Sequence, residues 1–345
     1  MKRYPYFIFV LILISILATS CGGKDTEQQS LPDLGTIKVG YLPIITYAPL
    51  YIAYEKGYFE EQGLEIELSS FASSSYMMPL LATGELDVGD GQTGTELINA
   101  INQGLEIKIV GPTSQEREGY ITSKFLVRTD LYESGEITEP ADLEGALIAT
   151  NVERGVVEYM TAELLKEGNL TIDDIQFVML PFSDINVAIA NQAIDGGLFP
   201  EPLASMAVDS GDGVILKAFS EIFPGATLAT YFFGERLLQP ENREIGVRFF
   251  KALMKAVREL NTEDGYNEEN VGYIAEYVNN PPEYIENNRH YFDPNGVFDE
   301  AALIDAMNYY IERGYTDVDV LPDPDQLMDL SFLDEALEEV GPFEE

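Results

Sequence analysis

The stretch IKVGYLPIITYAPLYIAYEKGYFEEQGLEIEL (residues 37–68) changes its hydrophobic period twice. Residues 37–42 read as a short apolar strand, residues 49–62 as an amphipathic helix closed by Gly63 as a C′ residue, and residues 64–68 as an alternating strand. A strand, a helix and a strand in that order form a parallel βαβ unit, because parallel neighbours need a crossover rather than a tight turn. The pattern continues downstream with a helix over 73–83, a strand at 87–89, a helix over 95–102 and a strand at 106–110. A strand at 124–128 (KFLVR) leaves this first set, and the alternation then starts afresh. Strands are expected at 146–150, 175–180, 194–198 and 214–216, with helices over 155–166, 183–191 and 202–208 between them. Residues 228–233 (LATYFF) read as a strand returning to the first set, and the remainder as helical. Ile245, Phe249, Leu253, Val257 and Leu260 form an apolar stripe at helical spacing along 241–260, which is packing. The fold class is therefore α/β with two lobes, each a mostly parallel sheet flanked by helices, joined by a two-strand hinge. Lobe one is discontinuous, 36–125 and 225–345, and lobe two spans 126–224. A faint repeat supports two similar lobes: LATGELDVG (81–89) aligns with IANQAIDGG (189–197) at apolar, Ala, Asp and Gly positions.

The chain has 345 residues, of which 46% are hydrophobic and 23% charged, enough apolar material for two cores. Lys and Arg number 20 against 60 Asp and Glu, a formal net charge of −40. A polyanion is repelled by such a surface, so nucleic acid is not an expected partner. Acidity of this degree also suits a saline medium, where counter-ions screen self-repulsion, and added salt is expected to raise thermal stability.

Lys2 and Arg3 precede an apolar run over 7–18, long enough for a secretory h-region and too short to span a bilayer. Ala18, Thr19, Ser20 and Cys21 follow it and resemble a bacterial lipobox, although Leu17 stands one place earlier than that pattern prefers. The expectation is a signal peptide over 1–20, a lipid on Cys21 and a polar tether over 21–35. Cys21 is the only cysteine, so its acylation leaves no thiol for disulfides, nucleophilic catalysis or metal binding.

The run VGYLP (39–43) with APLYIAYEKGYFEEQGLEI (48–66) resembles the opening of the substrate-binding proteins of ABC importers for nitrate, sulfonates, taurine and thiamine-pyrimidine precursors. GELDVG (84–89), DLEG (142–145) and Asp195 with Pro200, Glu201 and Pro202 extend the similarity, which covers about residues 37–260. The resemblance implies a type II periplasmic-binding-protein fold that closes on a small-molecule ligand. It also implies an ABC permease and its ATPase as partners, a place outside the cytoplasm held by the lipid anchor alone, and a monomer.

The residues point to the same cleft. In open α/β sheets, ligands lie beyond the carboxyl ends of strands, where helix N-termini present free N–H groups. Small polar residues stand at those points: Ser73, Ser74 and Ser75; Gln92, Thr93 and Gly94; Asn151, Arg154 and Gly155. Each set alone is ordinary helix capping, and three opening on one cleft form a cradle. Tyr47, Tyr76, Phe182, Phe199 and Tyr231 fall in the same loops and suit a planar ring, each stacked pair adding about 0.5–1.5 kcal/mol. An inorganic anion would call for a committed cation, for which only Arg154 and, more distantly, Lys124 are at hand. Glu201 would oppose an anion and accept from an amino or imino group. The expected ligand is thus a heteroaromatic nutrient, such as a thiamine-precursor pyrimidine or a flavin. Sulfonate, taurine or nitrate binding is the alternative within the family.

An enzyme of the pyrimidine-synthase type is the rival from another class. It lacks support: that superfamily's cysteine-rich motif has no counterpart here, the sole histidine is His290, and neither HExxH nor a P-loop occurs. No cofactor or metal is expected, and the pair Asp87 and Asp90 is read as turn and cap chemistry. A sensor domain passing occupancy to a receptor would use the same fold.

Overall fold

The computed structural model describes residues 35–343 apart from 93, 121, 122 and 228. The expected signal peptide, Cys21 and nearly all of the tether lie outside the described residues.

The chain begins with β1 (Ile37–Tyr41), α1 (Ala48–Glu55), α2 (Tyr58–Glu61), β2 (Ile66–Ser70), α3 (Met77–Thr83), β3 (Val88–Gln92), α4 (Thr95–Asn102) and β4 (Ile107–Pro112). It passes to a second sheet and builds β5 (Ser123–Arg128), α5 (Thr129–Ser134), β6 (Leu147–Thr150), α6 (Val156–Glu167), β7 (Gln176–Met179), α7 (Phe182–Ala190), β8 (Gly196–Pro200), α8 (Leu203–Asp209), β9 (Gly213–Ala218) and α9 (Phe219–Ile222). It returns through β10 (Ala229–Gly234) and α10 (Glu235–Leu238) to the long α11 (Arg243–Leu260). Five further helices follow: α12 (Glu268–Val278), α13 (Pro282–Asn287), α14 (Glu300–Glu312), α15 (Pro324–Leu327) and α16 (Ser331–Val340).

The two sheets share one plan, with strand orders β2-β1-β3-β10-β4 and β7-β6-β8-β5-β9. In each, a single antiparallel strand is slotted between the third strand and the fourth: β10 pairs with β3 and β4, and β5 with β8 and β9. Hence β5 and β10 do not pair with each other, and β5 belongs whole to the second sheet, from Ser123 rather than from residue 126. The connection runs beside them, through segments of which 113–120 and 219–227 are described. There Glu116 and Ala226 are hydrogen-bonded, N–H to carbonyl at 2.9 Å, and Thr113 bonds to the Ala229 carbonyl.

The repeat noted in the sequence is a shared clasp. Asp87 Oδ2 accepts the Lys38 N–H at 2.9 Å while Arg236 binds the carboxylate, its Nε 2.6 Å from Oδ1. Asp195 Oδ2 accepts the Leu147 N–H at 2.8 Å while Arg128 Nη1 lies 3.2 Å from Oδ1. Both aspartates also bond, backbone to backbone, with the first strand and with the antiparallel strand of their own sheet. The preceding turn is left-handed in both copies, at Gly84 and at Gln192.

Two expected helices are broken. Gly57, at φ +70°, ends α1 and lets α2 start on a new axis that buries Phe59 against Phe249, ring centroids 5.3 Å apart. Residues 74–76 form a 3-10 turn ahead of α3, because the Ser73 hydroxyl accepts from the Ser75 N–H instead of leaving the backbone to a helix. The stripe on α11 is buried as expected, along with Phe250 and Met254.

Candidate functional site

The cleft lies where α4 and α6 begin, one in each half. Gly94 and Gly155 are their N-cap residues, and a Cβ on Gly94 would come 3.9 Å from the Gly155 Cα. Two helix N-termini therefore meet across the gap at glycines, with the Glu96 carboxylate folded back against the Gly94 position. Below them is a cavity of about 50 Å³. Leu42, Thr46 and Tyr47 line it from the first half, and Met160, Phe182 and Leu198 from the second. Its floor comes from the connecting segments, through Ser114, Glu116 and Ala226. A wider space of about 500 Å³ opens outside, between Ser75, Thr95 and Glu96 on one side and Val152, Glu153, Arg154 and Met179 on the other. The inner cavity is smaller than a heterocycle needs.

The C-terminal region spans the same gap. Helix α14 packs on both α4 and α6. Tyr309 donates to Glu158 Oε1 at 3.2 Å, and Arg313 forks onto Asp173 at 3.0 and 2.6 Å, so both reach the second half. Just beyond, the Asp317 N–H bonds to Asn99 Oδ1 in the first half at 2.8 Å. Tyr310 is buried, and its hydroxyl is pushed up by that burial and then by Glu96 and Glu158, one carboxylate from each half.

The residues expected in the site divide sharply. Tyr47 and Phe182 line the inner cavity from opposite halves, and Ser75 and Arg154 line the outer space. Gly94 and Gly155 cap the facing helices, and Asn151 is buried at the carboxyl end of β6 with neither side-chain atom hydrogen-bonded. Of the Gln92 side chain nothing is described, and Thr93 lies outside the described residues. The others do other work. Phe199 is fully buried in the core of the second half with Leu126, Ile185 and Ala204, because both faces of β8 are covered. Tyr231 packs edge-on against Phe249 and Phe250 of α11, reaching Tyr47 at 6.4 Å. Tyr76 is 64% exposed and lines neither space. Ser73 and Ser74 are buried as turn supports, and Ser74 packs so closely on Gly91 that a Cβ there would come within 2.3 Å of its own.

Glu201 also departs from expectation. It has no exposed surface, its Oε2 accepts the Ser205 N–H at 3.1 Å, and Lys124 Nζ stands 2.6 Å from Oε1. The register explains this: Lys124 lies opposite Phe199, two residues before Glu201. The carboxylate is therefore occupied, and so is the lysine. Arg154, left-handed at φ +56°, sits 5.0 Å over the Tyr315 ring and 3.6 Å from Glu153.

Three contributors were not foreseen. Ser114 and Glu116 floor the cavity from a segment that reads in sequence only as a connection. Asp90 is the third. Asp87, read with it as turn chemistry, is spent on the clasp, whereas Asp90 is 1% exposed and lies against the Tyr47 hydroxyl and the Leu42 backbone. Burial pushes its carboxyl well above the usual carboxylate range, against the pull of the neighbouring Tyr47 hydroxyl and Leu42 backbone. Among the described residues, no group of three or more His, Cys, Asp or Glu is placed to hold a metal ion.

This architecture is the periplasmic-binding-protein fold. The model of the NMT1-like family matches residues 31–279, and the chain belongs to that family. A Brucella abortus protein named as a binding protein is 25% identical over 254 residues, spanning 70% of this chain and 72% of that one. Among solved structures, the periplasmic nitrate-binding protein NrtA from Synechocystis superposes with a TM-score of 0.76 at 16% identity, covering 90% of each chain. The alkanesulfonate-binding protein SsuA from Xanthomonas axonopodis, bound to MOPS, superposes with a TM-score of 0.66 at 16% identity, covering 88% of this chain and 98% of its own. Helix α14 lies beyond the residues that the family model matches.

Proposed function

We propose that this chain is an extracytoplasmic solute-binding lipoprotein, anchored through Cys21, that captures a small heteroaromatic nutrient by closure of its two halves and delivers it to an ABC permease. It acts as a binder rather than an enzyme, dividing near residues 125 and 225 into the two lobes that close. The observation that carries this reading is the cavity lined from both halves, with Tyr47 on one side, Phe182 on the other and the N-termini of α4 and α6 above. A ligand touching both halves favours the closed state by its differential affinity.

Charge favours a donor ligand over an anion. Glu96 and Glu153 line the outer space and Glu116 the inner one. The nearby cations are engaged, Lys124 with Glu201 and Arg154 with Tyr315 and Glu153. This argues against carrying over the nitrate and alkanesulfonate named for the two solved structures. A thermal-shift panel of pyrimidines, flavins, alkanesulfonates, taurine and nitrate, followed by small-angle scattering with the best ligand, tests it. A heterocycle is expected to give the largest shift and to reduce the radius of gyration. Tighter binding of nitrate or a sulfonate, or binding without compaction, overturns it.

A further inference from the structure

We propose that the arm over residues 298–324, with α14 at its centre, is a strap beside the outer space, whose side-chain ties to the second half release to let a solute enter or leave. The inference goes beyond the choice of ligand and rests only on that part of the proposed function in which the two halves move.

Three observations support it. First, both ends of the arm are fixed outside the second half. At its start Gln115 Nε2, in the connection, donates to the Val297 carbonyl at 2.6 Å. At its end α15 packs on β4, Lys108 Nζ donates to the Asp325 carbonyl at 2.8 Å, and the Asp329 N–H bonds to the Ile109 carbonyl at 2.8 Å. Second, the span between these anchors reaches the second half through side chains. The Tyr309 ring meets that of Tyr159 on α6 at 5.6 Å, its hydroxyl donates to Glu158, and Arg313 holds Asp173 with two bonds. Third, the arm touches the rim of the cleft: Arg154, which lines the outer space, lies 5.0 Å over the Tyr315 ring.

A span anchored at both ends to one half and tied along its middle to the other resists their separation. The strength of the ties suits a reversible device. The Arg313 side chain is 30% exposed and that of Asp173 70%, and exposed ion pairs of this kind shift an equilibrium only a few-fold. The tyrosine pair and the hydroxyl bond to Glu158 add a comparable amount each. Together they favour the strapped arrangement by roughly ten- to a hundredfold, which leaves it open to thermal release.

The test uses no ligand. In the full chain carrying Cys21→Ser, the near-isosteric Ser114→Cys places a single thiol on the floor of the inner cavity. Its rate of reaction with iodoacetamide, relative to the same chain unfolded in urea, reads how often the gap opens. Arg313→Ala is expected to speed labelling about threefold, and Tyr309→Ala/Arg313→Ala at least about tenfold. The reversed pair Arg313→Asp/Asp173→Arg is expected to return the rate to within about twofold of the parent. Lys251→Ala, which cuts an ion pair with Glu339 inside the first half, should leave it unchanged. An unchanged rate in the Tyr309→Ala/Arg313→Ala protein overturns the strap, and so does a reversed pair that labels as fast as Arg313→Ala. A rise matched by Lys251→Ala, or one with the urea dependence of global unfolding, assigns the ties to overall stability and likewise overturns it. None of these failures touches the heteroaromatic reading, since no solute is present, and a ligand panel without a response leaves the labelling result standing.

Discussion

Replacing Lys124 by methionine strands a charge that the fold cannot hydrate. Glu201 has no exposed side-chain surface and Lys124 only 11%, and the Nζ to Oε1 separation is 2.6 Å. The Ser205 N–H satisfies the other oxygen at 3.1 Å and stays in place in the variant. Methionine preserves most of the lysine stem but leaves Oε1 facing the interior. Breaking one partner of a buried pair costs about 3–5 kcal/mol, which in a chain of this size lowers the melting temperature by about 4–7 °C. The double variant Lys124→Met/Glu201→Gln removes the orphaned charge and should recover most of that loss, since replacing both members of a buried pair is close to neutral. Scanning calorimetry of the wild type, both single variants and the double completes the cycle. Because Glu201 is turned into the second half, ligand affinity of the folded protein should stay within about threefold of wild type, a difference under about 1 kcal/mol. A single variant within 1 kcal/mol of wild type, or a double no more stable than the single, would refute the pairing as drawn; a large affinity loss with stability intact would put Glu201 in the ligand site.

Other expectations concern single residues. His290 is buried with both ring nitrogens lacking a hydrogen bond, and burial pushes its pKa from about 6.5 down to about 3. The folded state thus holds fewer protons, so this residue's contribution is complete above pH 6.5 and is lost as the pH falls towards 3. Urea unfolding at pH 6.5 and 5.0 should show about 2 kcal/mol of loss that His290→Leu lacks; equal losses in the two proteins would contradict it. Phe199→Ala should cost about 3–5 kcal/mol with ligand affinity of the folded protein unchanged, whereas Phe182→Ala should weaken heterocycle binding in calorimetry; the reverse pattern would return Phe199 to the cleft. Arg313→Ala, which frees α14 from Asp173, should raise the radius of gyration of the ligand-free protein in scattering, and an unchanged value would show that the helix does not hold the halves together.

Much of this architecture is written in local patterns. The change of period in 37–68 fixes the first βαβ unit, α4 falls on 95–102 as expected, and the α11 stripe is buried where its spacing puts it. What a single sequence hides is pairing between distant segments. The antiparallel placement of β5 and β10 depends on partners some 70 to 140 residues away along the chain. Rings sort by the same long-range facts: the apolar run around Phe199 is equally consistent with a cleft wall and with a strand covered on both faces, and the second obtains. Glu201 looks free until the register sets Lys124 beside it. Asp90 is the opposite case, since acidic residues near glycines read as turn formers and only the folded chain shows this one enclosed beside Tyr47.

The clasped antiparallel strands bear on how the molecule transmits force. The connecting segments lead towards β5 and β10, six-residue strands each held by neighbours on both sides. A pull exerted at the joint runs along that strand's axis, loading its two hydrogen-bond ladders in shear rather than peeling them apart one rung at a time. The sheets therefore resist as stiff plates, and bending concentrates in the short spans between them. On the closure proposed above, work done by a solute at the mouth would be turned into rotation instead of being dissipated in distorting either plate.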